Sequence, residues 1–126
     1  MSRICLIFLI ISFYGLQTSF AQEKVFSTPD KKAMYPGGKL ALAKFLKDNV
    51  KYPAEAKTAK TKGTVIVSFI VEKSGALTNI EVAYGIGKGC DAEALRVVRK
   101  MPKWYPGSVG GKPVRVLYKL TIKFPQ

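Results

Sequence analysis

The sequence predicts an α+β domain: a three-stranded antiparallel sheet with two helices packed on one face. Two observations predict it. Apolar residues recur with a helical period in two stretches and with a period of two in three others. Their order is helix, strand, strand, helix, strand, and a two-layer arrangement of these elements buries every apolar stripe in one core. The chain has 126 residues, enough for one small domain.

The first residues stand outside this scheme. Residues 1–21 read as an export signal, with Arg3 as the positive end and Ile4 to Leu16 as the apolar stretch. Gln17 to Ala21 then carries small residues suited to cleavage before Gln22. The alternative is an uncleaved anchor in the inner membrane, facing the periplasm. A membrane helix needs about 20 apolar residues, and this run is shorter, so cleavage is the expectation. Residues 22–34 form a polar lead-in, and residues 35–126 form the domain.

Pro36-Gly37-Gly38 breaks the chain ahead of the first helix. Leu42, Phe45, Leu46 and Val50 line one helical face, while Lys44, Lys47, Asp48 and Lys51 take the other. This helix is expected to end near Tyr52, because Pro53 cannot continue it. Ala54 to Lys60 could add a short helical turn with Pro53 at its first position.

From Thr64 to Glu72 the period becomes two, with apolar residues on both parities, as in a central strand. Lys73-Ser74-Gly75 turns the chain into a second strand, Leu77 to Tyr84. Asp91 can cap a helix whose Ala94, Leu95, Val98 and Met101 share a face, and Pro102 stops it. The last strand alternates most cleanly. Val114, Val116, Tyr118, Leu120, Ile122 and Phe124 face the core; Arg115, Leu117, Lys119, Thr121 and Lys123 face water.

Composition excludes several chemistries. The chain has no His, which removes Ser-His-Asp and Cys-His pairs, His-ligated zinc and imidazole acid-base work. No catalytic residue, metal site or cofactor is expected. Gly85 to Asp91 is Gly-rich between a strand and a helix. A dinucleotide fingerprint would need glycine where Cys90 stands, so a turn requiring positive φ is the simpler account. Cys90, the one cysteine beyond the leader, reads as a small packing residue rather than a reactive thiol. Trp104 and Tyr105 read as a lid over one end of the core, or as aromatic contacts flanking a bound chain.

Lys and Arg total 21 against 8 acids, a net charge of +13. Loss of residues 1–21 removes only Arg3 from the charged set. The balance exceeds the magnitude of about 2 to 8 that solubility asks of a small domain. For an exported protein nucleic acid is not the expected partner. Anionic envelope surfaces such as lipid head groups are.

Taken in order, the motifs resemble the C-terminal domain of the TonB family, in its Bacteroidetes-type form, over about 90 residues from Tyr35 to Phe124. They are Tyr35-Pro36-Gly37-Gly38; Tyr52-Pro53 with Ala56; Gly63 with Val65, Val67, Phe69 and Val71; Gly75; and Gly85-Ile86-Gly87-Lys88-Gly89-Cys90-Asp91. Ala94-Leu95, Met101-Pro102-Lys103-Trp104, Pro106-Gly107 and Gly111-Lys112-Pro113-Val114 complete the set.

The resemblance implies a periplasmic module that binds outer-membrane TonB-dependent transporters without covalent chemistry. A transporter segment, the TonB box, would add as a strand to an exposed sheet edge. The edge is expected on the final strand: Val114, Arg115, Val116, Leu117, Tyr118, Lys119, Leu120, Thr121, Ile122 and Lys123. Strand exchange in the family also allows a homodimer. The alternative is a soluble regulator that competes with TonB transducers and passes on no force. On the residues alone, Arg115, Lys119 and Lys123 could equally protect the edge from pairing.

Overall fold

A computed structural model describes residues 23–126. The export signal expected over residues 1–21 lies outside the described residues. In chain order the elements are β1 (Val25–Phe26), α1 (Gly38–Asn49), α2 (Ala54–Ala59), β2 (Gly63–Val71), β3 (Leu77–Tyr84), α3 (Cys90–Arg99), β4 (Gly107–Val109) and β5 (Lys112–Phe124).

The expected antiparallel three-stranded sheet is the centre of the fold. β2 pairs with β3 on one side and with β5 on the other. The β2–β5 register runs unbroken from Gly63 opposite Phe124 to Val71 opposite Val116. The β2–β3 register shifts twice, and each time the extra residue lies on β3. Asn79 there has φ 49°, a left-handed conformation that Asn tolerates better than most residues.

Alternation decides which side chains are buried. Val65, Val67, Phe69 and Val71 of β2 join Val116, Leu120, Ile122 and Phe124 of β5 in one cluster. Leu46 of α1, Ala56 of α2, and Ala94, Val97 and Val98 of α3 enter the same cluster, so the helices cover one face of the sheet. Each large aliphatic buried in this way contributes roughly 1.5–3 kcal/mol before entropy is charged.

Several boundaries differ from the sequence expectation. α1 stops at Asn49, short of Tyr52, and Asn49 Nδ2 donates to Phe45 O while Val50 turns extended. The helix thus ends four residues before Pro53, where Val50 leaves the helical region. α3 begins at Cys90, with Gly89 as its N-cap at φ 83°. Asp91 is therefore inside the first turn and is not the cap.

Two short strands were not anticipated, because neither Val25–Phe26 nor Gly107–Val109 is long enough to show a period. β1 runs parallel to β5, with Val25 opposite Arg115 and Phe26 opposite Val116. β4 forms a hairpin with the start of β5 through Gly110 and Gly111, both at positive φ. The polar lead-in is drawn onto the domain by backbone bonds: Lys31 pairs with Ser108, and Met34 with Tyr105.

Candidate binding edge and its groove

A sheet edge can bind an extended chain only if its backbone groups are unpaired. In the turn between β2 and β3, Glu72 donates its N–H to Ala76 O. This directs the backbone of Glu72 toward β3, and by alternation that of Val71, Phe69, Val67 and Val65 toward β5. Their register partners Val116, Tyr118, Leu120 and Ile122 bond back to β2. The N–H and C=O groups of Arg115, Leu117, Lys119, Thr121 and Lys123 then point outward.

Not all of the expected edge is open. Val114 already pairs with Gly107, Arg115 with Val25 and Val116 with Phe26. These three residues of the expected edge have strand partners within the domain. From Leu117 to Lys123 no strand lies on the outer side among the described residues. The edge that the structure leaves available is thus Leu117–Lys123. Its side chains alternate as expected: Leu117, Lys119, Thr121 and Lys123 are exposed, while Leu120 and Ile122 are buried.

The covered start of β5 is fastened by charge. Arg115 Nε donates to Glu72 Oε1 at 2.6 Å, and a second guanidinium nitrogen reaches Oε2 at 3.2 Å. Arg115 also donates to the backbone O of Glu23 at 2.8 Å, ahead of β1. These bonds, with one from Thr78 Oγ1, hold the Glu72 carboxyl below its ordinary value of 4.5. Arg115, read from sequence as part of the docking edge, is a fastener of β1.

Beside the open edge runs a groove of ≈ 710 Å³. The lead-in supplies one wall through Ser27–Pro29 and Lys31–Tyr35. α1 supplies Gly38, Lys39 and Leu42, and β5 supplies Val116–Lys119. Trp104 lines it too. A smaller hollow of ≈ 340 Å³ lies at the far end of the edge, around Thr64, Lys123 and Phe124.

Trp104 is 3% exposed. Its ring meets Tyr35, Phe69 and Tyr118 edge-on, at centroid distances of 5.8, 5.3 and 4.8 Å. Its Nε1 has no hydrogen-bond partner among the described residues. Trp104 is thus both a lid on the core and a wall of the groove. Tyr105 is 58% exposed and pairs through its backbone with Met34. Burial of Tyr35 raises its phenol above the ordinary value.

The glycine-rich loop is occupied from within. Asp91 Oδ1 accepts the N–H groups of Ile86 and Gly87, at 2.8 and 3.2 Å. A Cβ on Gly85 would stand 2.3 Å from Asp91 Oδ2, so glycine is required to admit this carboxylate. The loop folds around its own anion rather than a phosphate. Cys90 is fully buried, and burial, followed by the nearby Asp91 and Glu55, raises its thiol above the ordinary value. It packs, as the sequence suggested.

Sequence reasoning did not find the groove, because its walls come from segments more than sixty residues apart in the chain. The one local signal was the Lys31-Lys32 pair in the stretch read as a polar lead-in, with Lys39 following beyond it.

With the geometry set out, comparison with known proteins gives one match. A family model described as the Gram-negative bacterial TonB protein C-terminal matches residues 48–125, more than half of the chain. No curated protein and no solved structure matches it.

Proposed function

The chain belongs to the family of Gram-negative bacterial TonB C-terminal domains, and from that premise we propose that it captures a transporter segment by strand addition to Leu117–Lys123. Domains of this family are periplasmic, act in envelope transport without enzymatic chemistry, and interact with outer-membrane TonB-dependent transporters. The finer statement concerns this chain. The observation that carries it is the outward direction of four successive alternate backbone positions, Leu117, Lys119, Thr121 and Lys123, along an edge with no strand partner among the described residues.

An extended peptide laid on this edge would gain main-chain hydrogen bonds, while side chains at every second position would meet the exposed face. Export on the signal expected over residues 1–21 would bring the domain to the compartment where transporter boxes are found. The homodimer allowed by strand exchange would use the same edge, so peptide capture and self-pairing would compete.

Amide hydrogen exchange, measured with and without a synthetic TonB-box peptide, tests the reading. Protection should rise at Lys119, Thr121 and Lys123 and stay constant at Leu120 and Ile122, which are already bonded to β2. Protection confined to β3, the opposite edge of the sheet, would move the docking site there and sink the assignment.

A further inference from the structure

Among the described residues, five large apolar side chains are exposed: Met34, Leu40, Tyr84, Tyr105 and Leu117. Leu117 belongs to the open edge, but three of the others gather at one end of the molecule. Met34 and Tyr105 form an antiparallel bridge with backbone bonds of 3.0 and 2.8 Å, so their side chains stand on the same side. A Cβ on Gly38, where α1 begins, would lie 4.0 Å from Met34 Sδ. Leu40 follows in the same first turn, and helical side chains lean toward the N-terminus, so Leu40 projects at this end as well. It is 88% exposed. A lone surface leucine is ordinary, whereas three such groups at one tip form a patch.

The patch is set among cations. Residues 31–47 hold Lys31, Lys32, Lys39, Lys44 and Lys47 and no acid. Leu40, Lys44 and Lys47 stand at i, i+4 and i+7, one exposed stripe along α1. Lys31, Lys32 and Lys39 share the groove wall with Met34. No ion pair joins any of these five lysines among the described residues. The bracketing acids do not neutralise them: Asp30 Oδ2 accepts the N–H of Gly110 at 2.8 Å, and Asp48 lies about two turns beyond Leu40.

We infer that this end of the domain docks on an anionic phospholipid bilayer. Leu40 and Met34 enter the acyl boundary, the Tyr105 ring rests at headgroup depth, and the lysines meet the phosphates. A folded acidic protein fits less well, because so prominent a leucine needs a matching cavity there, and a bilayer receives it without one. None of these residues belongs to the Leu117–Lys123 edge, so the inference does not depend on strand addition.

Vesicle co-sedimentation tests it, with the protein beginning at Gln22, the start expected after export, which keeps every described element. Vesicles of mixed phosphatidylcholine and phosphatidylglycerol should carry the protein down, pure phosphatidylcholine should not, and binding should weaken as salt rises. Lys39→Gln/Lys44→Gln should weaken it about 10- to 30-fold, the effect of two cations at an anionic surface. Lys62→Gln/Lys123→Gln removes the same charge at the far hollow and should change binding less than about 3-fold. Leu40→Gln keeps the charge and a good helix former, and should weaken binding about 3- to 10-fold.

Native affinity in Leu40→Gln would mean that nothing apolar enters the bilayer, and overturns the inference. Equal losses in the two lysine pairs also overturn it, by assigning binding to total charge. A native protein that ignored both kinds of vesicle but bound soluble polyglutamate would place an acidic polypeptide on the patch instead.

Discussion

Arg115 and Glu72 face each other across the end of the β2–β5 ladder, with guanidinium and carboxylate joined by two hydrogen bonds of 2.6 and 3.2 Å. Both side chains are mostly buried, at 18% and 23% exposure. The pair also holds the lead-in, because the same guanidinium binds Glu23 O. The nearby Lys73–Glu23 ion pair is half-exposed and should contribute little by comparison.

A pH dependence follows from this pair. The folded state holds the Glu72 carboxyl below 4.5, chiefly through the hydrogen bond from Arg115. A carboxyl depressed on folding adds stability above its unfolded value and loses it as pH falls through the folded one. Thermal midpoints of the native protein should therefore drop as pH falls below about 4.5, while Glu72→Gln, lower at neutral pH, should lose less over the same span. Part of the slope will survive in the variant, because Arg96 and the N–H of Lys51 hold Glu93 down as well. Parallel curves for the two proteins would remove Glu72 from the account. The amide of Phe26 should exchange faster in the variant if this pair keeps β1 in place.

Trp104 offers a separation of packing from the cost of an unpaired donor. Trp104→Ala empties a site that four aromatic rings share, and should cost about 3–5 kcal/mol. Trp104→Phe keeps most of the packing and deletes the N–H that has no partner, a group whose burial costs roughly 1–3 kcal/mol. Lost volume and relieved donor then offset each other, so Trp104→Phe should unfold within about 1 kcal/mol of the native protein. Urea titration measures this. A loss as large as that of the alanine variant would mean that the indole N–H is satisfied in solution.

How much could be read from the chain depended on the length of the signal. β2, β3 and β5 are eight to thirteen residues long, so each showed a strand. β5 alternates and Val116 to Phe124 announced its faces, while β2, apolar on both parities, announced only a central place in the sheet. β1 and β4 have two and three residues and carry no period. Their pairing with β5 follows from tertiary contact, and it is what narrows the edge from Val114–Lys123 to Leu117–Lys123. The buried Cys90 and the turn at Gly75 were legible because residue type and neighbours agreed. The Asp91 assignment failed for an instructive reason: its carboxylate does bind backbone N–H groups, but those of Ile86 and Gly87 before the helix.

Gly75 should be the least replaceable of the turn glycines. It has φ 88°, and a Cβ there would lie 2.1 Å from Trp104 O. Its own N–H donates to Glu72 O, and its carbonyl accepts from Trp104 N at 2.9 Å. Gly75→Ala must break the link between the β2–β3 turn and the Trp104 segment, at a cost above about 3 kcal/mol. Gly87 has φ 74° but open space around it, so Gly87→Ala carries only the left-handed penalty of about 1–2 kcal/mol. Chemical denaturation of both variants checks the contrast. Equal losses would show that backbone conformation, rather than the approach of Trp104 O, sets the requirement.

Proline substitution along β5 distinguishes the two sides of the strand. Thr121 directs its N–H outward, away from β2, so Thr121→Pro removes no ladder bond and its ring sits where an edge strand tolerates it. Leu120, one residue earlier, lies opposite Val67 and bonds inward, besides being 5% exposed. Leu120→Pro should cost about 3 kcal/mol or more and disrupt the sheet. Thr121→Pro should keep a native circular dichroism spectrum, lose at most about 1 kcal/mol and lose peptide capture. The alternation argument makes this pair decisive, because adjacent residues of one strand are assigned opposite outcomes. If both variants unfold, the outward direction inferred from Glu72 and Ala76 is wrong. If Thr121→Pro folds and still captures the peptide with native affinity, the edge at Leu117–Lys123 is not where the partner pairs.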